Sequence, residues 1–359
     1  MRERPVERAV DRPVQRKSDR KVNNNGTRDF DPEFSPGARN AIRVCLRIQP
    51  HEKVTLITDR ATREIADSLI HEVEAVGAPY RAWVLEEIES RPLRNMPAVI
   101  LDDLASSNVS LFAVQAQLHE LGSRMQMTEV VNRHRIRHAH MVNINPQIMV
   151  EGMRADFLKV DEISTRVLEL ASAASHVRAR TPAGTEIQAE LSRSFRWLKT
   201  SGIISPEKWG NLPGGEVFTT PALVNGTFVV DGVVGDYLCA RYGTLANEPL
   251  TLRIRNSRLT EVHSDNRGLE DEFWAYTHAD DNSDRVGEFA IGTNIDLQHV
   301  IGQILQDEKF PGVHIAFGNP YGEHTGADWY SSTHIDVVGT GFSIWLDDRQ
   351  IMQDGKFLI

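Results

Sequence analysis

Cysteine is almost absent from this sequence, which contains Cys45 and Cys239 among its 359 residues. Two cysteines are too few for a disulfide framework, and neither belongs to a pair spaced for redox chemistry or zinc binding. We therefore expect a protein of a reducing, cytoplasmic compartment.

Long apolar runs and basic stripes are also missing. No segment approaches the roughly 18 consecutive apolar residues that span a bilayer, and the N-terminus has no apolar segment typical of a secretory signal. The formal net charge is −10, without a basic stripe interleaved with aromatic residues. These absences argue against a membrane or nucleic acid as a main partner and predict a soluble, unexported protein.

The remaining composition is that of an ordinary globular protein, with 40% apolar and 25% charged residues. A single core rarely grows beyond roughly 250–300 residues, so a chain of this length favours two structural regions. Residues 1–28 have a basic excess and few large apolar side chains. This segment is a predicted disordered tail, because it cannot bury enough apolar surface to fold.

Residues 29–190 show the alternation of short apolar runs and helical patterns that is typical of an α/β domain. Val54–Thr58 and residues 80–85 are predicted strands, and the apolar spacing of residues 62–76 predicts a helix that ends at Gly77. A mostly parallel sheet is therefore expected. No glycine-rich phosphate loop follows these strands, so we assign no nucleotide cofactor to this domain.

The second half has the pattern of a β-rich domain. A long amphipathic helix is predicted for residues 155–174, and a hairpin is predicted for residues 176–180 and 186–191. Beyond this hairpin, short β-rich runs alternate with glycine and asparagine turns. We therefore place a domain boundary near residue 190, with residues 191–359 as the C-terminal domain.

Histidines and carboxylates gather in this C-terminal domain. His334 and Asp336 are two residues apart in the segment THID, and side chains with this spacing on a strand point to the same face. An imidazole and a carboxylate arranged in this way can bind one metal ion together. By itself, however, a histidine two residues before an aspartate is a common surface pattern.

Three further polar residues lie in apolar or turn-forming segments. Glu288 is in the glycine-flanked apolar run GEFAIGTN, where an unpaired carboxylate is costly to bury and needs a cationic partner. His314 is in the similar run GVHIAFG, where a backbone hydrogen bond is the alternative to a metal ion. Glu216 follows the turn-forming stretch GNLPGG and leads into a β-rich run. Each signal alone is ambiguous.

Together these segments resemble the M29 family of metallo-aminopeptidases, of the aminopeptidase T type. The similar stretches follow one another from about residue 205 to the C-terminus: GNLPGGEVFT, GEFAIGTN, DEKFPGVHIAFG and THIDVV. The resemblance implies a pair of divalent ions, Zn, Co or Mn, held by Glu216, Glu288, His314, His334 and Asp336. Residues 191–359 are therefore the predicted metal-binding catalytic domain.

The resemblance also implies an activity. Such enzymes remove N-terminal residues from short peptides by means of a water activated by two metal ions. Glu216 or Glu288 would bridge the ions or accept the proton of the water. Tyr321, seven residues after His314, would donate a hydrogen bond to the oxyanion. A homodimer is expected on the same ground. The sequence departs from the family at Gly215, where many members have a second acidic residue.

A mononuclear iron enzyme is the alternative. His314, His334 and Asp336 form a two-histidine, one-carboxylate set of the kind that binds a single Fe(II), and ring-cleaving dihydroxypyridine dioxygenases also resemble this family. The joint presence of Glu216 and Glu288 favours two metal ions and hence the peptidase. A homologue without peptidase activity on the same fold is a further alternative.

Two other groups of polar residues each allow two interpretations. Glu323 and His324, between the two predicted histidine ligands, are expected to be exposed loop residues, with a substrate contact or an additional ligand as the alternative. His134, His138 and His140 lie among arginines without a carboxylate to complete a metal site. We expect these three histidines at a solvated helix end, with a contribution to a substrate pocket as the alternative.

Overall fold

The computed structural model of the protein describes residues 29–235 and 237–359. The predicted disordered tail, residues 1–28, lies outside the described residues. Among the residues that the structure describes, no helix is both long and apolar enough to cross a membrane.

Helices and strands are numbered here in chain order. The strands are β1 (Val54–Thr58), β2 (Tyr80–Val84), β3 (Val109–Val114), β4 (Arg137–Val142), β5 (His176–Arg180), β6 (Glu186–Glu190), β7 (Leu198–Thr200), β8 (Gly210–Asn211), β9 (Glu216–Thr219), β10 (Leu223–Val230), β11 (Leu250–Arg255), β12 (Arg258–His263), β13 (Val286–Gly292), β14 (Gly312–Gly318), β15 (His334–Val338), β16 (Ser343–Leu346), β17 (Arg349–Gln353) and β18 (Lys356–Phe357). The α-helices are α1 (Ser35–Arg39), α2 (Arg63–Val76), α3 (Leu85–Ile88), α4 (Ala98–Ala105), α5 (Leu121–His134), α6 (Pro146–Val150), α7 (Phe157–Ala173), α8 (Tyr237–Tyr242), α9 (Arg267–Tyr276), α10 (Ile304–Asp307) and α11 (Gly322–Thr325). Shorter 3-10 segments lie at Pro32–Phe34 and Gly152–Arg154, and a π-helical segment lies at Asn40–Cys45.

The first sheet is parallel and has five strands in the order β2-β1-β3-β4-β8. Strands β1 and β3 are buried over their whole length, as expected of parallel strands that are covered on both faces. Helix α2 connects β1 to β2 and ends at Gly77, whose φ of 82° is the left-handed conformation that often ends helices. The prediction of an α/β region with a mostly parallel sheet is confirmed.

The other two sheets are antiparallel. An eight-stranded sheet has the order β12-β11-β10-β6-β5-β16-β17-β18, and the small antiparallel sheet has the order β15-β14-β13-β9-β7. The predicted fold class, an α/β sheet region followed by a β-rich region, is confirmed. Strand pairing crosses residue 190 in both directions, since β5 and β6 belong to the eight-stranded sheet and β8 pairs with β4. The division of the chain at residue 190 stays a prediction.

The two antiparallel sheets share one hydrophobic core. It contains Phe228 and Leu252 of the eight-stranded sheet together with Phe289, Ile315 and Phe317 of the small antiparallel sheet. Alternate residues of a strand point to opposite faces of its sheet. From Glu288 onward in β13, and throughout β14, the odd-numbered residues therefore anchor the small sheet in the core, and the even-numbered residues occupy its other face.

Candidate metal centre

Strand register brings the histidines and carboxylates of the small antiparallel sheet side by side. Glu288 pairs with Ala316 of β14, and Ala316 pairs with Asp336 of β15. The methyl group of Ala316 leaves space between the two carboxylates. His314 lies two residues before Ala316 and His334 two residues before Asp336, so both imidazoles are on the same face.

All five predicted ligands come together on this face. Nε2 of His314 lies 3.5 Å from Oε2 of Glu216 and 3.6 Å from Oε1 of Glu288. Potential ligand atoms of these three buried residues all lie within 4.8 Å of one another. Nε2 of His334 lies 3.6 Å from Oδ1 of Asp336 and 3.9 Å from Oε2 of Glu288. Glu288 therefore stands between the two histidines.

Gly215 explains why the sequence has a single acid at the start of β9. Its φ is 131°, and a Cβ atom at this position would lie 2.6 Å from Cβ of Asn294. A residue with a side chain would therefore be strained and would clash. Glu216 consequently has no acidic residue directly before it in the sequence that could replace it.

Both imidazoles present a ring nitrogen to the carboxylates. Nδ1 of His334 lies 2.9 Å from the backbone oxygen of Asn319, and donating this hydrogen bond directs Nε2 towards the carboxylates, where a metal ion would take the place of its proton. Nε2 of the buried His314 has no hydrogen-bond partner among the described residues, which is costly for a polar atom. A metal ion bound between these nitrogens and the carboxylates would satisfy both imidazoles. The residues therefore fit a metal site.

The charged groups of the centre shift each other's pKa values. Burial raises the pKa of Glu288, and the charge of Asp336 raises it further. Burial would also raise the pKa of Asp336, but His334 outweighs this effect and the pKa is lowered. The same pairing raises the pKa of His334 to about 10, although burial alone would lower it. The centre therefore stabilises positive charge, as a cation site does.

Glu308 and Lys309 belong to the centre, although neither was predicted from the sequence. Nζ of the fully buried Lys309 lies 2.7 Å from Oε1 of Glu216 and 2.5 Å from Oε1 of Glu308. Burial would raise the pKa of Glu216, but Lys309 and His314 outweigh it and lower that pKa. The signal in the sequence is the position of this charged pair directly before the strand of His314. Lysine and glutamate in such a place are ordinarily exposed.

A cavity of about 510 Å³ lies over the centre. The residues of the centre that line it are Glu216, Glu288, Glu308, His334 and Asp336. Its other walls include Lys208, Trp209, Phe218, Tyr321, Glu323 and His324. A cavity of this size with aromatic and polar walls suits a small-molecule ligand.

Tyr321, Glu323 and His324 lie on the cavity wall around α11. The ring of Tyr321 packs against the ring of His334, with 4.5 Å between the ring centroids. Its φ of 50° is uncommon for a bulky residue. Glu323 and His324 have exposed side chains, and their backbone oxygens accept hydrogen bonds from Arg196. The structure therefore places both residues, with exposed side chains, on the wall of the cavity.

The prediction that His134, His138 and His140 lie at a solvated helix end is wrong for the last two. His134 is the exposed last residue of α5, but His138 and His140 are buried on β4. Nδ1 of His138 lies 2.8 Å from Oγ of Ser110, and its Nε2 lies 3.2 Å from Nδ1 of His140. Burial lowers the pKa of His138 to about 3. Hydrogen bonds among Ser110, His138 and His140 satisfy the two histidines inside the parallel sheet. The polar residues of β4 did not indicate that the strand is buried.

Comparisons with known proteins identify a family and a fold. The profile of the family described as NicX, 2,5-dihydroxypyridine 5,6-dioxygenase, matches residues 37–359. The search of curated proteins finds no match. The solved structure of 2,5-dihydroxypyridine dioxygenase from Pseudomonas putida KT2440 has a TM-score of 0.68 and 15% sequence identity, covering 90% of this chain and 96% of that chain. Wild-type AmpT from Thermus thermophilus has a TM-score of 0.65 and 16% identity, covering 91% and 99% of the two chains.

These findings correct the predicted activity. The prediction of a metallo-aminopeptidase, and with it the description as a hydrolase and protease, is wrong because the family matched over most of the chain is a dioxygenase family. The likeness to AmpT supports a relationship of fold, and membership of the M29 family is unconfirmed. The error has a physical origin, since one fold supports several reactions and histidine–carboxylate sets hold either one or two ions. The chain belongs to the 2,5-dihydroxypyridine 5,6-dioxygenase family.

Proposed function

We propose that the protein is a mononuclear non-haem iron dioxygenase that cleaves the ring of a dihydroxylated pyridine with O2. The observation that carries this proposal is the position of two histidines and an aspartate on one face of the small antiparallel sheet, with Glu288 between the histidines, in a chain of this family. His314, His334 and Asp336 are the proposed ligands of one Fe(II), in the arrangement that non-haem iron oxygenases use. Fe(II) bound there supplies the one-electron chemistry that O2 needs to react with an organic substrate.

Glu288 is the proposed proton acceptor for a ring hydroxyl. Its carboxylate lines the cavity and lies 3.6 Å from Nε2 of His314 and 3.9 Å from Nε2 of His334. A hydroxyl group of a substrate held next to both imidazoles would therefore be within reach of this carboxylate. Removing that proton makes the ring more electron-rich and easier to oxidise.

The cavity has the side chains that a flat, partly anionic ring requires. Trp209 and Phe218 line it and offer aromatic surface. Nζ of Lys208 lies 5.7 Å from the centre of the Phe218 ring and supplies a positive charge on the same wall. Tyr321 packs against His334 and lines the same cavity. We assign these residues to binding and orienting the ring.

Oxygen consumption by iron-loaded protein tests the proposal. Purified protein is loaded with Fe(II) without oxygen, desalted, and mixed with 2,5-dihydroxypyridine in air-saturated buffer. We expect one O2 to be consumed for each ring lost, without an added reductant, because cleavage of a carbon–carbon bond with insertion of both oxygen atoms balances the electrons. Protein that retains one Fe(II) per chain but consumes no O2 with this substrate or with other dihydroxylated pyridines would overturn the proposal.

A further inference from the structure

Lys309 is a fully buried cation held between two carboxylates. Its Nζ lies 2.7 Å from Oε1 of Glu216 and 2.5 Å from Oε1 of Glu308. The backbone of Lys309 is fixed as well, because its N–H donates to the oxygen of Gln306 and its own oxygen accepts from the N–H of Asn294. A lysine is almost never fully buried unless it is paired, so the two carboxylates are what allow Lys309 to be buried in the centre.

Glu216 belongs to the ligand set expected of a centre with two metal ions, and Glu308 lies beside it on the other side of Lys309. Oε1 of Glu216 accepts from Thr200 at 2.7 Å as well as from Lys309, so both of its contacts are to protein donors. The other oxygen, Oε2, faces Nε2 of His314 at 3.5 Å. Glu308 lines the cavity, and Lys309 holds one of its oxygens. The ammonium group thus lies at a point where two acidic side chains converge beside the proposed iron ligands.

We propose that Lys309 is a built-in cation that replaces a second metal ion, so that the centre holds one divalent ion. The inference rests on the single-iron site of the proposed function. Buried carboxylates require a nearby positive charge, and an ammonium group supplies it without a coordination shell. While Lys309 is present, its ammonium group engages Oε1 of Glu216 and Oε1 of Glu308, so these two oxygens are poor ligands for a second ion. Lys309 is therefore a positioning residue, which acts through these two glutamates.

Metal stoichiometry of Lys309→Met tests the inference. Methionine keeps most of the length of the side chain and removes the charge. Full-length protein is stripped with a chelator and titrated with Mn²⁺ alone and with Zn²⁺ alone, and bound metal is measured by calorimetry and elemental analysis. We expect one ion per chain in the wild-type protein and two in Lys309→Met. Lys309→Arg keeps the charge and should bind one ion.

A triple variant separates replacement of charge from disturbed packing. Lys309→Met combined with Glu216→Gln and Glu308→Gln removes the cation together with both of its partners. Amides are poor ligands for these ions, so the triple variant should return to one ion. A second ion that persists in the triple variant would lie elsewhere and would contradict the assignment.

The remaining outcomes also decide the question. Lys309→Met that folds and binds a single ion overturns the inference, as does wild-type protein that binds two. If Lys309→Met unfolds in chelator, refolding with two bound Mn²⁺ ions supports it, and failure to refold with Mn²⁺ or Zn²⁺ overturns it. Failure of the proposed function has a different signature: wild-type protein with one Fe(II) consumes no O2, while the metal counts of these variants still differ as expected.

Discussion

Nδ1 of His334 donates a hydrogen bond of 2.9 Å to the backbone oxygen of Asn319, and this bond determines which ring nitrogen faces the carboxylates. A metal ligand held by such a second hydrogen bond keeps its tautomer and its orientation. The acceptor is a backbone atom, so no substitution of the Asn319 side chain removes it. The orientation of His334 is therefore determined by the backbone of the segment that directly follows β14.

Iron binding should depend strongly on His334. Loss of groups that only orient a ligand costs roughly 10–100-fold in metal affinity, so loss of the ligand itself in His334→Ala should cost at least about 100-fold. Iron content after anaerobic loading and desalting measures this effect. His134→Ala, at the exposed end of α5, is the matched histidine control and should retain its iron. A full iron content in His334→Ala would remove His334 from the ligand set.

Glu288→Gln should separate iron binding from turnover. The amide keeps the size of the side chain but cannot accept a proton, so we expect turnover to fall by about 10²–10⁴-fold. Iron content should be retained, because Glu288 is not one of the three proposed ligands. Glu323→Gln, another glutamate of the cavity wall, should retain most of the turnover. Near-normal ring cleavage by Glu288→Gln would show that another group takes the proton.

Buried His138 should make the fold sensitive to acid. Its pKa is about 3 in the folded protein, against about 6.5 when unfolded. The unfolded chain therefore takes up this proton first as the pH falls below 6.5, and stability declines by roughly 2 kcal/mol at pH 5 from this group alone. His138→Gln should lose correspondingly less stability between pH 7.5 and pH 5 in urea unfolding. An equal loss in both proteins would contradict the assignment.

Asp280 should support the loop before β15 in its charged form. Its Oδ2 accepts hydrogen bonds from the backbone N–H and the hydroxyl of Ser332 at 2.7 and 2.6 Å. Burial alone would raise the pKa of Asp280, but these bonds lower it well below its usual range. Asp280→Asn should therefore lower Tm by about 2–4 °C at pH 7. The difference should shrink as the pH falls below about 4, where the unfolded carboxyl becomes protonated. A pH-independent difference would be inconsistent with this account.

Local patterns in the sequence were sufficient to predict which side chains share the strand face that carries the metal centre. Residues two apart on a strand share a face in any sheet, so the spacing of His334 and Asp336 predicted their common direction before the sheet was known. Glu288 and His314 stood out because each interrupts an apolar run that would otherwise be buried on both faces. The strand order that brings these runs together was not predictable from such local signals.

The partners that decide the chemistry come from distant parts of the chain. Lys309 contacts Glu216 across the fold, and the sequence does not show that a lysine next to a glutamate will turn inward. Because that contact is not visible in the sequence, Glu216 was interpreted together with Glu288 as a ligand of a second metal ion. That interpretation favoured a peptidase. His138 was misplaced for a similar reason, because its partner Ser110 lies on a neighbouring strand.

The origin of the oxygen atoms in the product tests the central claim most directly. Iron-loaded protein is allowed to convert 2,5-dihydroxypyridine under ¹⁸O2 in ordinary water, and in a parallel reaction under ordinary O2 in H2¹⁸O, with the product analysed immediately by mass spectrometry. One Fe(II) on this sheet face, acting as a dioxygenase, predicts that both atoms of one O2 enter the ring-opened product. A product whose new oxygen atoms come from water would contradict the account.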